Sequence, residues 1–298
     1  MYEHIIQAVI ETPWAILPGK LAIIQSLLTL RAAGHRLTAE EIRAQIQGAR
    51  PQSGFIQAGN GIAVLPIVGT IIPRGDMLME SSGAVSTQRI AAAFRSAMSN
   101  PDVGSIIFDI DSPGGQVGGV DELATEIFQA RGQKRIVAVA NHLAASAAYW
   151  LATAADEVVV TPSGEVGSIG VFAMHQDISQ ALEAEGVKVN LIAAGKYKTE
   201  GNPFEPLNEE SRAAIQGRVD DYYQMFAGAV ARNRGVKRAE VVGGFGEGRV
   251  VGAKQAVALG MADRVDTLDG TIERLRGKSR GRGLSAESRE RRLRAFRQ

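Results

Sequence analysis

From about residue 62 the sequence alternates short aliphatic runs with amphipathic stretches, and this alternation constrains the fold more than any other feature. The runs are "IAVLPIVGTI", "SIIFDI", "RIVAVA", "EVVVT", "SIGVFA" and "VKVNLIAAG". Helical patterning falls between them, over about 86–99, 118–132, 144–155 and 177–186. Near-continuous Val/Ile runs suit strands buried on both faces, and strands separated by helices join in parallel. The expectation is an α/β fold with a mainly parallel sheet covered on both sides. A long helix follows in "NEESRAAIQGRVDDYYQMFAGAVARNRG", acidic at its start and arginine-rich at its end. The segment "GRVVGAKQAVALGMADRVDT" closes the unit with a shorter strand and helix.

Texture also sets the boundaries. Residues 1–54 are expected to be a separate helical region, with Pro18 opening "GKLAIIQSLLTLRAAGH" and "LTAEEIRAQI" after it. "GARPQSGFIQAGNG" has linker composition. The α/β domain is placed at 60–272, and 273–298 is expected to be a flexible basic tail. From Arg276 to Gln298 there are nine basic and two acidic residues, against a net charge of +1 for the whole chain. Such a tail is either solvated or a docking segment for an acidic surface or nucleic acid.

Composition removes several chemistries. There is no cysteine among the 298 residues, which excludes disulfides, thiolate metal sites and a cysteine nucleophile. The four histidines, His4, His35, His142 and His175, show no metal-ligand spacing. The apolar stretches "WAILPGK" and "LAIIQSLLTL" are broken by Pro13, Pro18, Gly19 and Lys20. None reaches the roughly 18 apolar residues of a membrane span. No basic start leads into a cleavage site. A cytoplasmic, unanchored chain is the expectation.

Three stretches carry potential chemistry. The first, "DIDSPGGQVGG" at 109–119, follows a strand, and its glycines permit close backbone approach with amides free for an oxyanion or a phosphate. It lacks the spacing of a Walker A loop or of GxGxxG, and alone it is also an ordinary βα turn. The second is Ser146 in "NHLAASAAYWLA", a hydroxyl among alanines that is either helix packing or a nucleophile awaiting a base. His142, four residues earlier, is a weak choice for that base because the helix is expected to start only near Ala144. GxSxG is absent, so an α/β-hydrolase elbow is not indicated. The third, "AGKYKTEGNPFEP" at 194–206, puts Lys196 and Lys198 on one face if extended. Surface lysines are ordinarily solvated, and a lysine acting as a base must first lose its proton through desolvation.

The order of these stretches adds information: SPGG after a strand, then "AASAAYWLA", "VGSIGV" and "GKYKTEGNPFEPL". Over about residues 60–270 the chain resembles the signal peptide peptidase A family of serine proteases, and within it the phage head maturation (capsid assembly) proteases. The resemblance implies a crotonase/Clp-protease-like ββα superhelix behind the helical extension, with 60–272 as a Ser/Lys peptidase domain. It places the nucleophile on Ser146 and the general base on Lys198, in preference to Lys196. Ser168 of "GSIGV" becomes the hydroxyl that orients the lysine. The oxyanion hole becomes the backbone amides of Gly114 or Gly115 and of Ala147. Alanines follow Ser146 where signal peptide peptidases often have glycine.

The implied function is a serine endopeptidase that processes scaffold, portal or coat protein during phage or prophage head maturation. No metal or organic cofactor is needed. The implied assembly is a ring of identical chains in which Lys198 reaches the Ser146 of a neighbour. The host cytoplasm or the procapsid would be its location. Rival readings are a general cytoplasmic peptide hydrolase of the same fold, an acyl-CoA-binding crotonase relative, and a non-catalytic assembly protein.

Overall fold

The computed structural model describes residues 13–22, 24, 54–75 and 83–277. The basic tail from 278 and most of the expected helical region 1–54 lie outside the described residues. In chain order the strands are β1 (Trp14–Ile16), β2 (Ile56–Gln57), β3 (Ile62–Val68), β4 (Thr70–Ile72), β5 (Ala84–Ser86), β6 (Ser105–Ser112), β7 (Gly114–Gln116), β8 (Arg135–Ala145), β9 (Glu157–Val160), β10 (Glu165–Gly167), β11 (Val250–Gly252) and β12 (Arg264–Val265). The helices are α1 (Thr87–Ser99), α2 (Val120–Gln129), α3 (Ala147–Thr153), α4 (Ser179–Ala184), α5 (Glu209–Arg234), α6 (Arg238–Gly244) and α7 (Ala253–Ala258). A further helical stretch covers 268–277.

The larger sheet runs β11-β10-β8-β6-β3-β2, with β9 on β8 and β12 on β9. Its centre is parallel: Ile62 to Val68 pair with Ser105 to Asp111, and Ser105 to Ile110 with Arg135 to Ala140. Alternation along these strands feeds two cores. Ile106, Phe108, Ile110, Ile136 and Ala138 pack on one face, and Ile107, Val137, Val139 and Val159 on the other. Each face buries aliphatic side chains at about 1.5–3 kcal/mol apiece, which is why these runs carry no polar alternation. A smaller sheet, β1-β7-β4-β5, stands beside this one.

Two helices, α1 and α5, start where a side chain satisfies an early amide. Ser86 Oγ accepts the Arg89 N–H at 3.2 Å to cap α1, and Asn208 Oδ1 accepts the Ser211 N–H at 2.8 Å to cap α5. Helix α5 ends at Gly235, in the left-handed conformation at φ 68°. Its second half is buried, and there Phe226 stacks on Trp150 of α3 at 4.6 Å and 5°. Arg131 seals the other end of α3, donating to the carbonyls of Thr153, Ala154 and Ala155 at 2.6–2.9 Å. Those are carbonyls that a helix end otherwise leaves without partners. The short helix that follows Ser146 is thereby held at its far end and along its side.

Four local expectations change. Residues 14–16 form a strand paired with β7 in the main body, rather than part of a separate helical region. The helix expected from 144 begins at Ala147, because β8 runs on through "NHLAA" and its end pairs with β10. A register shift between Ile110 and Ser112, opposite a left-handed His142 (φ 109°), lets β8 change neighbours there. In "SIGVFA" the ladder ends at Gly167, and only Phe172 makes a later bridge, to Trp14. "VKVNLIAAG" has strand-like composition but joins no described strand, and it lies on the surface.

Candidate active site

Ser146 sits where β8 ends and α3 begins. Its backbone is at φ 55°, ψ −120°, and its surface is 1% exposed. A side chain at these angles is strained, at roughly 1–3 kcal/mol. Three contacts hold it: the Ser146 N–H donates to Gly167 O at 2.7 Å, Trp150 N–H donates to Ser146 O at 2.9 Å, and the hydroxyl lies 3.5 Å from Gly170 O. The strand β8 therefore passes into α3 through a sharp, strained elbow with a buried serine at its corner. Motif order pointed to this serine, but no GxSxG announced the strained backbone there. The available signal was the row of alanines, since both neighbours, Ala145 and Ala147, are completely buried.

The SPGG turn packs directly against this elbow. Gly114 is at φ 96°, and a Cβ there would lie 2.9 Å from the Ser146 Cβ and 2.2 Å from the Ala15 carbonyl oxygen. A Cβ on Gly115 would lie 1.8 Å from the Ile71 carbonyl oxygen. Both positions require glycine for close backbone approach. The turn does not lead straight into a helix, because β7 intervenes and α2 starts only at Val120.

The two glycine amides differ. Gly114 N–H donates to Ser112 Oγ at 3.2 Å, and that hydroxyl donates to Gly69 O at 2.6 Å. Leu17 N–H bonds Pro113 O at 3.0 Å. Antiparallel ladders alternate bonded and non-bonded pairs, so the next bonded pair is Ala15–Gly115, and the Gly115 amide faces the Ala15 carbonyl. Ala147 is the first residue of α3, and its N–H has no carbonyl one turn earlier in the helix.

The remaining sequence candidates divide. Ser168 is buried beside this group at φ 53°, its N–H on Arg249 O at 2.8 Å, next to the Gly167 carbonyl that holds Ser146. Its hydroxyl makes no hydrogen bond to Ser146 or Lys198. His142 lies on β8 rather than on a helical face with Ser146.

Lys198 is exposed and makes no bond to Ser146 within the chain; it lines a cavity of about 660 Å³ with Pro13, Met174, His175, Phe204 and Arg218. Lys196 is engaged elsewhere, its Nζ 2.7 Å from both Glu210 Oε1 and the Tyr197 hydroxyl. The Glu210 and Tyr197 hydrogen bonds push the Lys196 pKa up, so it stays protonated. Sequence spacing left these two lysines equivalent; Glu210, fourteen residues downstream of Lys196, separates them.

Among the described residues, no group of three or more His, Asp or Glu side chains is placed to hold a metal ion. Among the same residues no helix is long and apolar enough to cross a membrane. A family profile, Peptidase family S49, matches residues 129–280, a span that includes Ser146, Ser168 and Lys198. The chain belongs to peptidase family S49.

The S49 chain is 36% identical over 278 residues to capsid assembly protease C of Escherichia phage lambda, covering 88% of this chain and 62% of that protein. It is 33% identical over 276 residues to head-tail preconnector protein GP5 of Enterobacteria phage P21, covering 88% and 55%. Protease 4 of Salmonella typhi is 28% identical over 215 residues, covering 72% and 34%. The S49 chain thus spans little more than half the length of both phage relatives.

Proposed function

We propose that this S49 chain is a serine endopeptidase with Ser146 as nucleophile and Lys198 as general base, on a crotonase/Clp-like superhelix. The observation that carries the reading is the strained elbow: Ser146 is held at φ 55°, ψ −120° against a glycine turn whose amide faces a peptide carbonyl. Strain retained beside a buried hydroxyl is a reason to assign function there. In the reaction, the Ser146 Oγ–H proton passes to Lys198 Nζ as Oγ bonds to the scissile carbonyl carbon. The amides of Gly115 and Ala147 take the oxyanion: the Gly114 N–H is held by Ser112 Oγ, whereas the Gly115 N–H faces a peptide carbonyl, that of Ala15, as it would face a substrate's. The C–N bond breaks, the lysine proton goes to the leaving amine, and water then hydrolyses the Ser146 ester. Ser168 orients the lysine.

Lys198 is supplied by a neighbouring protomer. Its own chain leaves it exposed, and the segment that leads to it carries uncovered apolar groups: Val187, Leu191 and Ile192, the last 100% exposed. Burial of this arm against another copy would cover that surface and give the lysine the water-poor setting a base requires. The names of the two phage relatives support head proteins as substrates, in the host cytoplasm or procapsid, with scaffold, portal or coat protein as partners. The test is co-expression with such head proteins, reading fragment masses for wild type, Ser146→Ala and Lys198→Ala. Processing by wild type alone is expected. Equal processing by Lys198→Ala would remove the assigned base.

A further inference from the structure

The strand that lies against the Ser146 elbow belongs to the chain itself. β1 is the edge strand of the smaller sheet, antiparallel to β7 with Ala15 opposite Gly115 and Ile16 opposite Gly114. On its other side Trp14 exchanges both backbone hydrogen bonds with Phe172, at 2.8 and 3.0 Å. Residues 14–16 are therefore held along one edge by β7 and pinned at Trp14 on the other, as an extended peptide added to a sheet edge would be. The space where Gly114 lacks a side chain is bordered by both the Ala15 carbonyl oxygen and the Ser146 Cβ, 2.2 and 2.9 Å from where a Cβ would sit, and the Gly115 amide faces that same carbonyl. Trp14 and Ile16 are buried with Leu21 and packed against Phe172, and Ala15 is fully buried.

We propose that residues 13–17 are a built-in occupant of the substrate cleft, and that a peptide reaches Ser146 only when β1 leaves. This rests on the assignment of Ser146 as nucleophile. The strand also names the class of peptide the groove takes: an extended segment with a small residue where Ala15 sits and bulky apolar residues on either side. Ala15 is completely buried and belongs to the main core cluster, so the space around it is already filled. A larger residue there would have to push strands apart. Trp14 and Ile16 act as anchors that fix the register.

The test uses the full-length chain carrying Ser146→Ala and a fluorescein-labelled peptide of residues 12–18, Thr-Pro-Trp-Ala-Ile-Leu-Pro. A cleft hidden nine-tenths of the time weakens apparent affinity about tenfold. Adding Trp14→Ala and Ile16→Ala should therefore tighten peptide binding about tenfold. With Ser146 intact, the same pair of changes should raise casein cleavage by a similar factor. Equal peptide binding with and without the anchor changes overturns the proposal, as does failure of the released chain to bind the peptide.

Hydrogen exchange in the chain with its anchors intact gives a readout that needs no change to β1. Added peptide should speed exchange at Trp14–Leu17, and unchanged exchange at saturating peptide also counts against the proposal. If binding and exchange behave as expected but no chain cleaves casein, the cleft assignment stands and the protease assignment falls.

Discussion

Replacing Gly114 by alanine puts a methyl group 2.2 Å from the Ala15 carbonyl oxygen and 2.9 Å from both the Ala145 carbonyl oxygen and the Ser146 Cβ. Two costs add. Holding alanine at φ 96° costs about 1–2 kcal/mol, because Cβ crowds the backbone at left-handed angles. Forcing one carbon into closed backbone packing costs a further ~1–3 kcal/mol. The total is about 2–5 kcal/mol, which lowers the melting temperature by roughly 5–15 °C in a domain of this size.

Two other glycines separate the contributions. Gly132, at φ 81° with nothing within 4 Å, isolates the backbone cost, so Gly132→Ala should lose about 1–2 kcal/mol. Gly170, with open space and an ordinary φ, should tolerate alanine within about 0.5 kcal/mol. Thermal and urea unfolding of the three variants give the comparison. If β1 leaves to relieve the clash, exchange at Trp14–Leu17 rises while β6 stays protected. Gly114→Ala no less stable than Gly132→Ala, with β1 protection unchanged, would refute the close packing of Gly114, Ala15 and Ser146.

Other perturbations test separate parts of the structure. Lys196→Ala should leave head-protein processing near wild type while Lys198→Ala abolishes it; the opposite pattern in fragment masses would move the base to Lys196. Glu157 has a side chain only 6% exposed and receives Arg135, Arg264 and Arg274 at 2.5–3.1 Å. Glu157→Gln should cost about 3 kcal/mol in urea unfolding, by leaving clustered guanidinium groups without their carboxylate. Burial alone would raise the Glu157 pKa, but bonds from Arg135, Arg264 and Arg274 outweigh it and hold it below its ordinary 4.5. Its contribution is therefore present above the unfolded pKa and lost as pH falls through the folded one. A scan of melting temperature below pH 4.5 should show a shallower acid loss in Glu157→Gln than in wild type, and parallel curves would contradict this. Ile192→Asp should reduce assembly mass by light scattering without changing the thermal unfolding of the lone chain; an unchanged mass would place the interface elsewhere.

The parallel sheet was legible because its strands are buried on both faces, which leaves near-continuous apolar runs such as "SIIFDI" and "RIVAVA". The end of β8 was not, since "NHLAA" has poor strand propensity and is extended by its ladders to Ser112 and Gly167. "VKVNLIAAG" failed in the opposite way: its alternation is strand-like, but no described strand offers it an edge. "WAI" is too short, between two prolines, to show a period, and only its partners β7 and Phe172 make it a strand.

At the site, motif order led to Ser146, while its strain depended on the carbonyl of Gly167 and the packing of Gly114, both distant in sequence. The choice between Gly114 and Gly115 likewise required the Ser112 hydroxyl.

The most direct measurement of the central claim is to mix the Ser146→Ala chain with the Lys198→Ala chain and assay cleavage of head protein or casein in the assembled material. Each alone should be inactive. If the dyad forms between protomers of a ring, random mixing at equal amounts should restore about a quarter of wild-type activity, since one interface in four joins an intact serine to an intact lysine. No recovery, with assembly mass unchanged, would contradict a dyad shared between chains.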